Sequence, residues 1–280
     1  MHRAFHAIPP TMVADDGRHT NAVFGFLSML YKMIEVLQPD AIVCAFDRGR
    51  PEFRMKALEQ YKAQRPPMDE HLREQFPIIE EVLEALDIPV VVKKGWEGDD
   101  VLATIAAKDE ANGYETLLVS GDRDIYQLTN DLTKVVATKK GISDIAIMGP
   151  KEVEKKYGVR PDQIPDYLGI KGDSSDNIPG VAGIGEKGAA KLLQQFGSLD
   201  GIYENIDQLK GKQKEYLENS KDAAYVSKEV ATIVRDLDLD QDVDVDAISF
   251  PSFDPEKVNK VFSSYKLFSQ LKKFLALADE

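Results

Sequence analysis

Residues 40–47 read DAIVCAFD, and this stretch decides the fold. Six apolar residues in a row between two aspartates are typical of a strand that is buried on both faces. Residues 20–37 precede it with apolar side chains three and four positions apart, which is helical spacing. The sequence therefore predicts a helix followed by a core strand, with Asp47 at the carboxyl end of that strand.

The same alternation continues downstream. The predicted segments are, in order, a helix at 69–86, a strand at Ile88–Val92, a helix at 101–106 and a strand at Thr116–Ser120. Strands that alternate with helices form a parallel sheet with helices on both faces, so the predicted fold class is α/β. Residues 135–137 and 145–147 flank Lys139-Lys140-Gly141 and predict a hairpin at the edge of this sheet.

From about Gly149 the pattern changes to short helices broken by glycine and proline. These helical segments are predicted at 150–157, 161–168, 185–196, 199–206 and 255–277. The acidic stretch 236–246 is predicted to be a solvated connector. The chain therefore reads as an α/β part followed by a mostly helical part.

The overall charge gives no direct sign of a nucleic-acid partner. The chain has 35 Lys and Arg residues against 48 Asp and Glu, for a net charge of −13. Binding depends on where the basic residues lie rather than on their sum, so this excess of acids does not exclude DNA. No apolar run reaches the roughly 18 residues that a membrane span requires. The single cysteine excludes an internal disulfide and suits a reducing cytoplasm.

Carboxylates follow each predicted strand, and more lie in a glycine-rich loop. The candidate ligands are Asp47, Glu97, Asp99, Asp100, Asp122, Asp124, Asp173 and Asp176. Taken singly, each also reads as a helix cap or a turn former. Because the carboxyl ends of parallel strands share one rim, we expect them to converge there, where only cations relieve their repulsion. Two hard divalent ions roughly 4 Å apart would clamp a phosphodiester and activate a water. The four histidines show no ligand spacing, so no second metal site is predicted.

Two segments are candidates for contacts with a phosphate backbone. Residues 48–65 combine arginines and lysines with Phe53 and Tyr61, which suits phosphate contact and stacking but equally a solvated loop. Residues 180–193 place glycines before a helix, with Lys187 and Lys191 one turn apart. A plain helix-packing motif is the alternative for the second segment.

Five segments, in this order, resemble the 5′-nuclease domain of bacterial DNA polymerase I, within the flap endonuclease family. They are TNAVFGF at 20–26, AFD at 45–47, EGDD at 97–100, SGDRD at 120–124 and KGDSSDNIPG at 171–180. The resemblance covers essentially the whole chain. It implies a PIN-like nuclease core over 1–172 with an arch at about 48–75. It also implies a helical DNA-binding region over 173–280, with a helix–three-turn–helix motif at about 179–206.

The resemblance also implies roles for individual residues. The eight candidate carboxylates would form a two-metal site for Mg²⁺, with Mn²⁺ as the alternative ion. Lys62 would aid catalysis, while Arg54 and Arg65 would hold the phosphate beside Tyr61. The residues implied to grip duplex DNA without reading sequence are Gly183, Gly185, Lys187 and Lys191. A K⁺ ion would sit in that hairpin.

One departure concerns the start of the family pattern. The family normally begins with a strand that carries an Asp-Gly pair, and residues 2–7 match what comes just after that strand. We therefore expect the chain as it stands to cleave weakly or not at all.

The implied activity is 5′–3′ exonuclease and 5′-flap endonuclease action on DNA, in replication and repair, in the bacterial cytoplasm at the nucleoid. A polymerase, covalently linked or separate, is the implied protein partner. Two alternatives stay open: a catalytically inactive module that binds DNA junctions, and a PIN-type ribonuclease. The second would share the acidic rim but lack the Gly183-Ile184-Gly185 motif.

Overall fold

A computed structural model describes residues 1–138, 145–241 and 243–278. Its strands are β1 (Cys44–Ala45), β2 (Val90–Val91), β3 (Thr116–Leu118), β4 (Thr133–Thr138) and β5 (Ile145–Met148). The helices of the first part are α1 (His2–Ala7), α2 (Asn21–Leu37), α3 (Glu52–Ala57), α4 (Glu70–Arg73), α5 (Phe76–Ala85) and α6 (Gly98–Ala111). The later helices are α7 (Pro150–Tyr157), α8 (Ile164–Lys171), α9 (Glu186–Phe196), α10 (Leu199–Glu204), α11 (Gly211–Asn219), α12 (Lys221–Ala231), α13 (Pro255–Ser264) and α14 (Phe268–Leu277). None of the helices in these ranges has both the length and the apolarity to cross a bilayer.

The predicted α/β class is confirmed, and its sheet consists of two short pieces. β1 pairs with β2 in parallel, and β3 pairs with β4 in parallel. β5 runs antiparallel to β4, as the hairpin prediction requires, and the hairpin's turn lies outside the described residues. The strands are shorter than their apolar runs because such a run marks buried side chains, whereas a strand also needs a neighbouring backbone to pair with.

The C-terminal helices return to the first part of the chain. Phe262 in α13 and Phe274 in α14 are fully buried in a cluster with residues of α2 and α5. The predicted single helix over 255–277 is two helices, because the chain turns at Lys266, whose φ is +55°. These helices therefore pack with the α/β part rather than with the other helices of region 173–280.

A second cluster joins β3 and β4 to the helices after residue 150. Ile125, Ile170, Leu192 and Leu193 lie in its centre. α8 packs closely on α12 because Gly169 has no side chain: a Cβ there would lie 3.0 Å from the Ala224 carbonyl oxygen. This packing fixes the end of α8, from which the acidic loop 173–178 begins.

The acidic connector is only partly solvated. Asp236, Asp238 and Asp240 are exposed as predicted, but Leu237 between them is buried against the side of α6 with Val101. The Leu237 N–H donates to Thr104 Oγ1 at 3.2 Å. Apolar residues that alternate with the aspartates therefore hold the connector along α6.

Candidate active site

The first turn of α6 brings the ends of two strands together. Asp47 follows β1, and the Gly98 N–H donates to its Oδ1 at 2.5 Å. Asp99 accepts a hydrogen bond from Ser120, just after β3, and lies close enough to Asp122 to feel its charge. The strand-end carboxylates thus share one rim, as the alternating pattern predicted.

Like charges at this rim raise the pKa values of two aspartates. Burial, and then the charge of Asp122, raises the pKa of Asp99 to about 7. Burial also raises the pKa of Asp124 well above its usual value, with further contributions from Asp122 and Asp176. Asp124 Oδ1 is buried and has no hydrogen-bond donor among the described residues. Such carboxylates become fully charged only when a cation compensates them.

The loop after α8 supplies the last two candidate acids. The backbones of Asp173 and Ile178 exchange two hydrogen bonds, which close the loop. Asp173 Oδ1 accepts from the Ser175 N–H at 2.8 Å and from its hydroxyl at 2.6 Å. The side chain of Asp176 is buried and lies near Asp124. The loop therefore adds carboxylates to the same rim from the helical part of the chain.

Three residues between α3 and α4 extend to the rim. The Lys62 ammonium contacts Glu97 and lies 3.4 Å from Asp176 Oδ2. Burial lowers the pKa of Lys62, but Glu97 and Asp176 outweigh it and raise the pKa. Arg65 Nη2 lies 2.5 Å from Asp176 Oδ1. Tyr61 is only 5% exposed and donates to Glu97 Oε2 at 3.1 Å, so its ring is not available to stack on bases as expected.

Arg54 and Asp100 form a buried ion pair beneath the rim. Arg54 is 2% exposed and Asp100 0%. Arg54 Nη1 and Nη2 donate to the two Asp100 oxygens at 2.6 and 2.8 Å, and its Nε donates to the Val230 carbonyl at 2.8 Å. Asp100 Oδ1 also accepts from the Val234 N–H at 2.9 Å. This pairing differs from the expectation that Arg54 holds a phosphate and Asp100 a metal, since each group is engaged by the other.

The remaining seven acids offer only oxygen ligands, the chemistry that hard divalent cations require. They do not form a closed ligand set in the described conformation. Within the described ranges, the one group of three possible ligand atoms lying within 4.8 Å of one another is elsewhere, at His19, His71 and Glu74. At the rim, the Lys62 ammonium contacts two of the carboxylates. The donor set therefore fits divalent cations, provided that these side chains draw closer together.

A cavity of about 740 Å³ opens beside the rim. Asp122, Asp124 and Asp173 line one part of it, and Arg3, Arg123 and Lys171 also contribute. These three basic residues were not predicted as site residues. Arg123 and Lys171 stand next to candidate acids in the sequence, which is a usable signal, whereas nothing near Arg3 in the sequence points to the rim.

The glycine-rich hairpin lies between α8 and α9. Gly183 has a φ of +89°, and a Cβ there would lie 2.6 Å from the ring of Tyr216, so both conformation and space favour glycine. Gly185 precedes α9 with open space around it. Lys187 and Lys191 are exposed one turn apart. The hairpin therefore presents backbone N–H groups and two cations on one surface.

Two family models match consecutive parts of the chain. Residues 1–158 match the 5′–3′ exonuclease N-terminal resolvase-like domain, and residues 159–256 match the 5′–3′ exonuclease C-terminal SAM fold. The two matches meet fourteen residues before the predicted division after residue 172, which stays a prediction.

The chain is also similar to curated proteins and solved structures. DNA polymerase I of Bacillus caldotenax is 42% identical over 280 residues, which are 100% of this chain and 32% of that protein. DNA polymerase I of Bacillus subtilis strain 168 is 44% identical over 262 residues, which are 93% of this chain and 29% of that protein. The chain thus spans less than one third of the length of these relatives.

Two solved structures are similar in fold. T5 5′-exonuclease with bound zinc matches with a TM-score of 0.62 at 21% identity, over 90% of each chain. The catalytic core of Rad2 in complex with a DNA substrate matches with a TM-score of 0.64 at 16% identity, over 92% of this chain and 86% of the other. The polymerase relatives and the two family models lead to one conclusion: the chain belongs to the 5′–3′ exonuclease family.

Proposed function

We propose that the chain hydrolyses DNA phosphodiesters as a Mg²⁺-dependent 5′–3′ exonuclease and 5′-flap endonuclease. The observation that carries this proposal is Asp124, a buried carboxylate beside Asp122 and Asp176 whose Oδ1 has no donor among the described residues. A buried acid in such company is a feature of a cation site rather than of a stable core. Family membership supplies the reaction class.

The proposed ligands are the acids of the rim other than Asp100. They are Asp47, Glu97, Asp99, Asp122, Asp124, Asp173 and Asp176. All are oxygen donors, which suits two Mg²⁺ ions, with Mn²⁺ as the substitute. When bound, such ions stabilise the charge that develops on a phosphate and lower the pKa of water. The proposed role of Asp100 is to position α6 through Arg54.

The proposed role of the basic residues near the rim is to hold the substrate phosphate. Lys62 and Arg65 now pair with Glu97 and Asp176, and both would turn to a phosphate oxygen once cations neutralise those acids. Tyr61 keeps Glu97 oriented through its hydroxyl. In this assignment Lys62 is the group that aids catalysis, and Arg65 positions the DNA.

The hairpin before α9 is the proposed grip on duplex DNA. Exposed N–H groups at a helix start and two cations on the same surface suit phosphate oxygens, which carry no sequence information. The resemblance adds a K⁺ ion in this hairpin, and the open space at Gly185 leaves room for one. Because the relatives are DNA polymerases, we also infer that a polymerase acts on the same DNA, at the bacterial nucleoid.

The test is cleavage of a labelled 5′-flap duplex, with Mg²⁺ and with EDTA, by the wild type and by two aspartate variants. Asp124→Asn removes the charge of the rim aspartate, and Asp131→Asn is its matched control at an exposed aspartate. We expect Mg²⁺-dependent nicking near the junction, an at least roughly 100-fold loss in Asp124→Asn, and no change in the control.

Two results would favour the alternatives. Tight binding of the flap without cleavage under any divalent ion would make the chain an inactive junction-binding module. Faster cleavage of single-stranded RNA than of the flap would make it a PIN-type ribonuclease. Equal activity of Asp124→Asn and wild type would remove the proposed metal site itself.

A further inference from the structure

Two histidines and a glutamate meet where the loop before α2 contacts α4. His19 Nδ1 lies 2.8 Å from Glu74 Oε1, and His71 Nδ1 lies 3.4 Å from the same oxygen. One ligand atom from each residue lies within 4.8 Å of the other two, and the imidazole rings are 4.1 Å apart. The prediction that the histidines form no ligand set is therefore wrong for His19 and His71.

We propose that His19, His71 and Glu74 form a second metal site, which takes a nitrogen-preferring ion of the Zn²⁺ class. Zinc bound tetrahedrally to nitrogen and oxygen at about 2.1 Å holds its ligand atoms roughly 3.4 Å apart. The two distances to Glu74 Oε1 need only small adjustments to reach this spacing. Three protein ligands leave a fourth position for solvent, and the His71 side chain is 59% exposed there.

The ligand chemistry separates this site from the acidic rim. Two imidazole nitrogens and one carboxylate favour Zn²⁺, Co²⁺ or Ni²⁺, whereas Mg²⁺ prefers oxygen ligands alone. None of the three residues lines the cavity beside the rim or the pocket around Lys62. The two sites therefore differ in both place and ion preference.

The three ligands are held in place by other contacts. The His19 N–H donates to Glu74 Oε1 at 2.9 Å, so the loop already bonds to the glutamate. At the start of α4, Asp69 Oδ1 accepts from the His71 N–H at 2.8 Å. Next to Glu74, Gln75 Oε1 accepts from the Ala22 N–H at 2.8 Å. Because both sides of the site are fixed, an ion would bind without ordering a flexible segment first.

An ion at this site would join the loop before α2 to the end of the segment that carries Lys62. Residues 48–75 begin at the rim and end at α4, next to His71 and Glu74. Binding would therefore stabilise one end of this segment against unfolding. At an ion concentration of 100 times the dissociation constant, the unfolding equilibrium shifts by about 100-fold, or about 2.7 kcal/mol.

The experiment is titration with Zn²⁺ by calorimetry and with Co²⁺ by visible absorption, on the full chain with millimolar Mg²⁺ present to saturate the rim. The variants are His71→Gln and Glu74→Gln. The matched control is His6→Gln, because His6 Nε2 lies 3.3 Å from His2 Nε2 on exposed α1, the other histidine pair. Unfolding in urea with EDTA checks that every variant folds.

We expect one zinc equivalent in wild type and in His6→Gln, with the intense absorption of tetrahedral cobalt. Each ligand variant should lose at least about tenfold in affinity, since even second-shell changes at metal sites have effects of about 10- to 100-fold. The Zn²⁺-dependent rise in Tm should be absent in His71→Gln. Equal zinc binding in His71→Gln and wild type, or its loss in His6→Gln, would overturn the proposal. Neither result depends on cleavage, so the nuclease proposal is tested separately.

Discussion

Replacing Arg54 with alanine should destabilise the fold more than any change at the surface. The substitution leaves Asp100 charged and fully buried, and the carbonyls of Val230 and Thr232 lose their Arg54 donors. Breaking one side of a buried ion pair costs about 3–5 kcal/mol. A stranded buried carbonyl costs about 1–3 kcal/mol where water cannot replace its donor. These contributions overlap, so we expect a loss of about 4 kcal/mol, a large part of the 5–15 kcal/mol typical of a folded domain.

The assay is urea unfolding in EDTA, followed by the fluorescence of Trp96, which lies 5.0 Å from Phe53 in the same helix as Arg54. EDTA removes stabilisation by bound ions, which would otherwise hide the effect. The matched control is Arg160→Ala, because Arg160 pairs with Asp162 at the surface at 2.8 Å. Exposed pairs of this kind contribute about 0–1 kcal/mol.

A double replacement separates the ion pair from simple packing. Arg54→Met combined with Asp100→Leu removes both charges, and apolar replacements of buried pairs are often neutral. The double variant should therefore recover most of the stability lost in Arg54→Ala. An Arg54→Ala protein as stable as wild type, but impaired in cleavage, would refute this reasoning and restore Arg54 to the role of holding a phosphate.

Three further predictions concern the rim and the hairpin. The pKa of Asp99 is raised to about 7, so the stability that its proton provides below the usual carboxyl pKa is lost as pH rises through about 7. In EDTA above about pH 8, Asp99→Asn should unfold at higher urea than wild type, by roughly 1–3 kcal/mol, and this gain should vanish in acid. Lys62→Ala should slow flap cleavage roughly 100-fold with binding little changed, while Lys155→Ala, at an exposed lysine, should do neither. Replacing Lys187 and Lys191 with alanine should lower the slope of log affinity against log salt by about 2, and an unchanged slope would remove them from the DNA contact.

The position of the rim could be predicted because strand ends are a local property. An apolar run followed by an acid places that acid at the carboxyl end of a strand, and parallel strands bring those ends together. Asp47 and Asp99 were found in this way, and both lie at the first turn of α6. The lengths of the strands could not be predicted, because pairing depends on a neighbouring backbone that the run itself does not specify.

Partners that meet only through tertiary packing left no sequence signal. Arg54 and Asp100 each fit the pattern of a substrate or metal contact, but their burial against the end of α12 decides their pairing. His19 and His71 have no regular spacing because the loop before α2 and the start of α4 are brought together by the fold. Spacing along the chain finds ligands on one helix or one loop, and it misses sites assembled from two.

The net charge of −13 is a poor guide to partners in this chain for a related reason. Several of its acids face one another at the rim, where the raised pKa values of Asp99 and Asp124 mark charges that only cations compensate. Basic groups are not spread evenly either: Lys62 and Arg65 lie at the rim, and Lys187 and Lys191 are exposed on one helix. With divalent ions bound, the rim would no longer repel phosphate, and these four cations would lie where a DNA backbone can use them. Charge counted over the sequence treats the acids of a cation site as surface charge, and so it hides the nucleic-acid surface beside them.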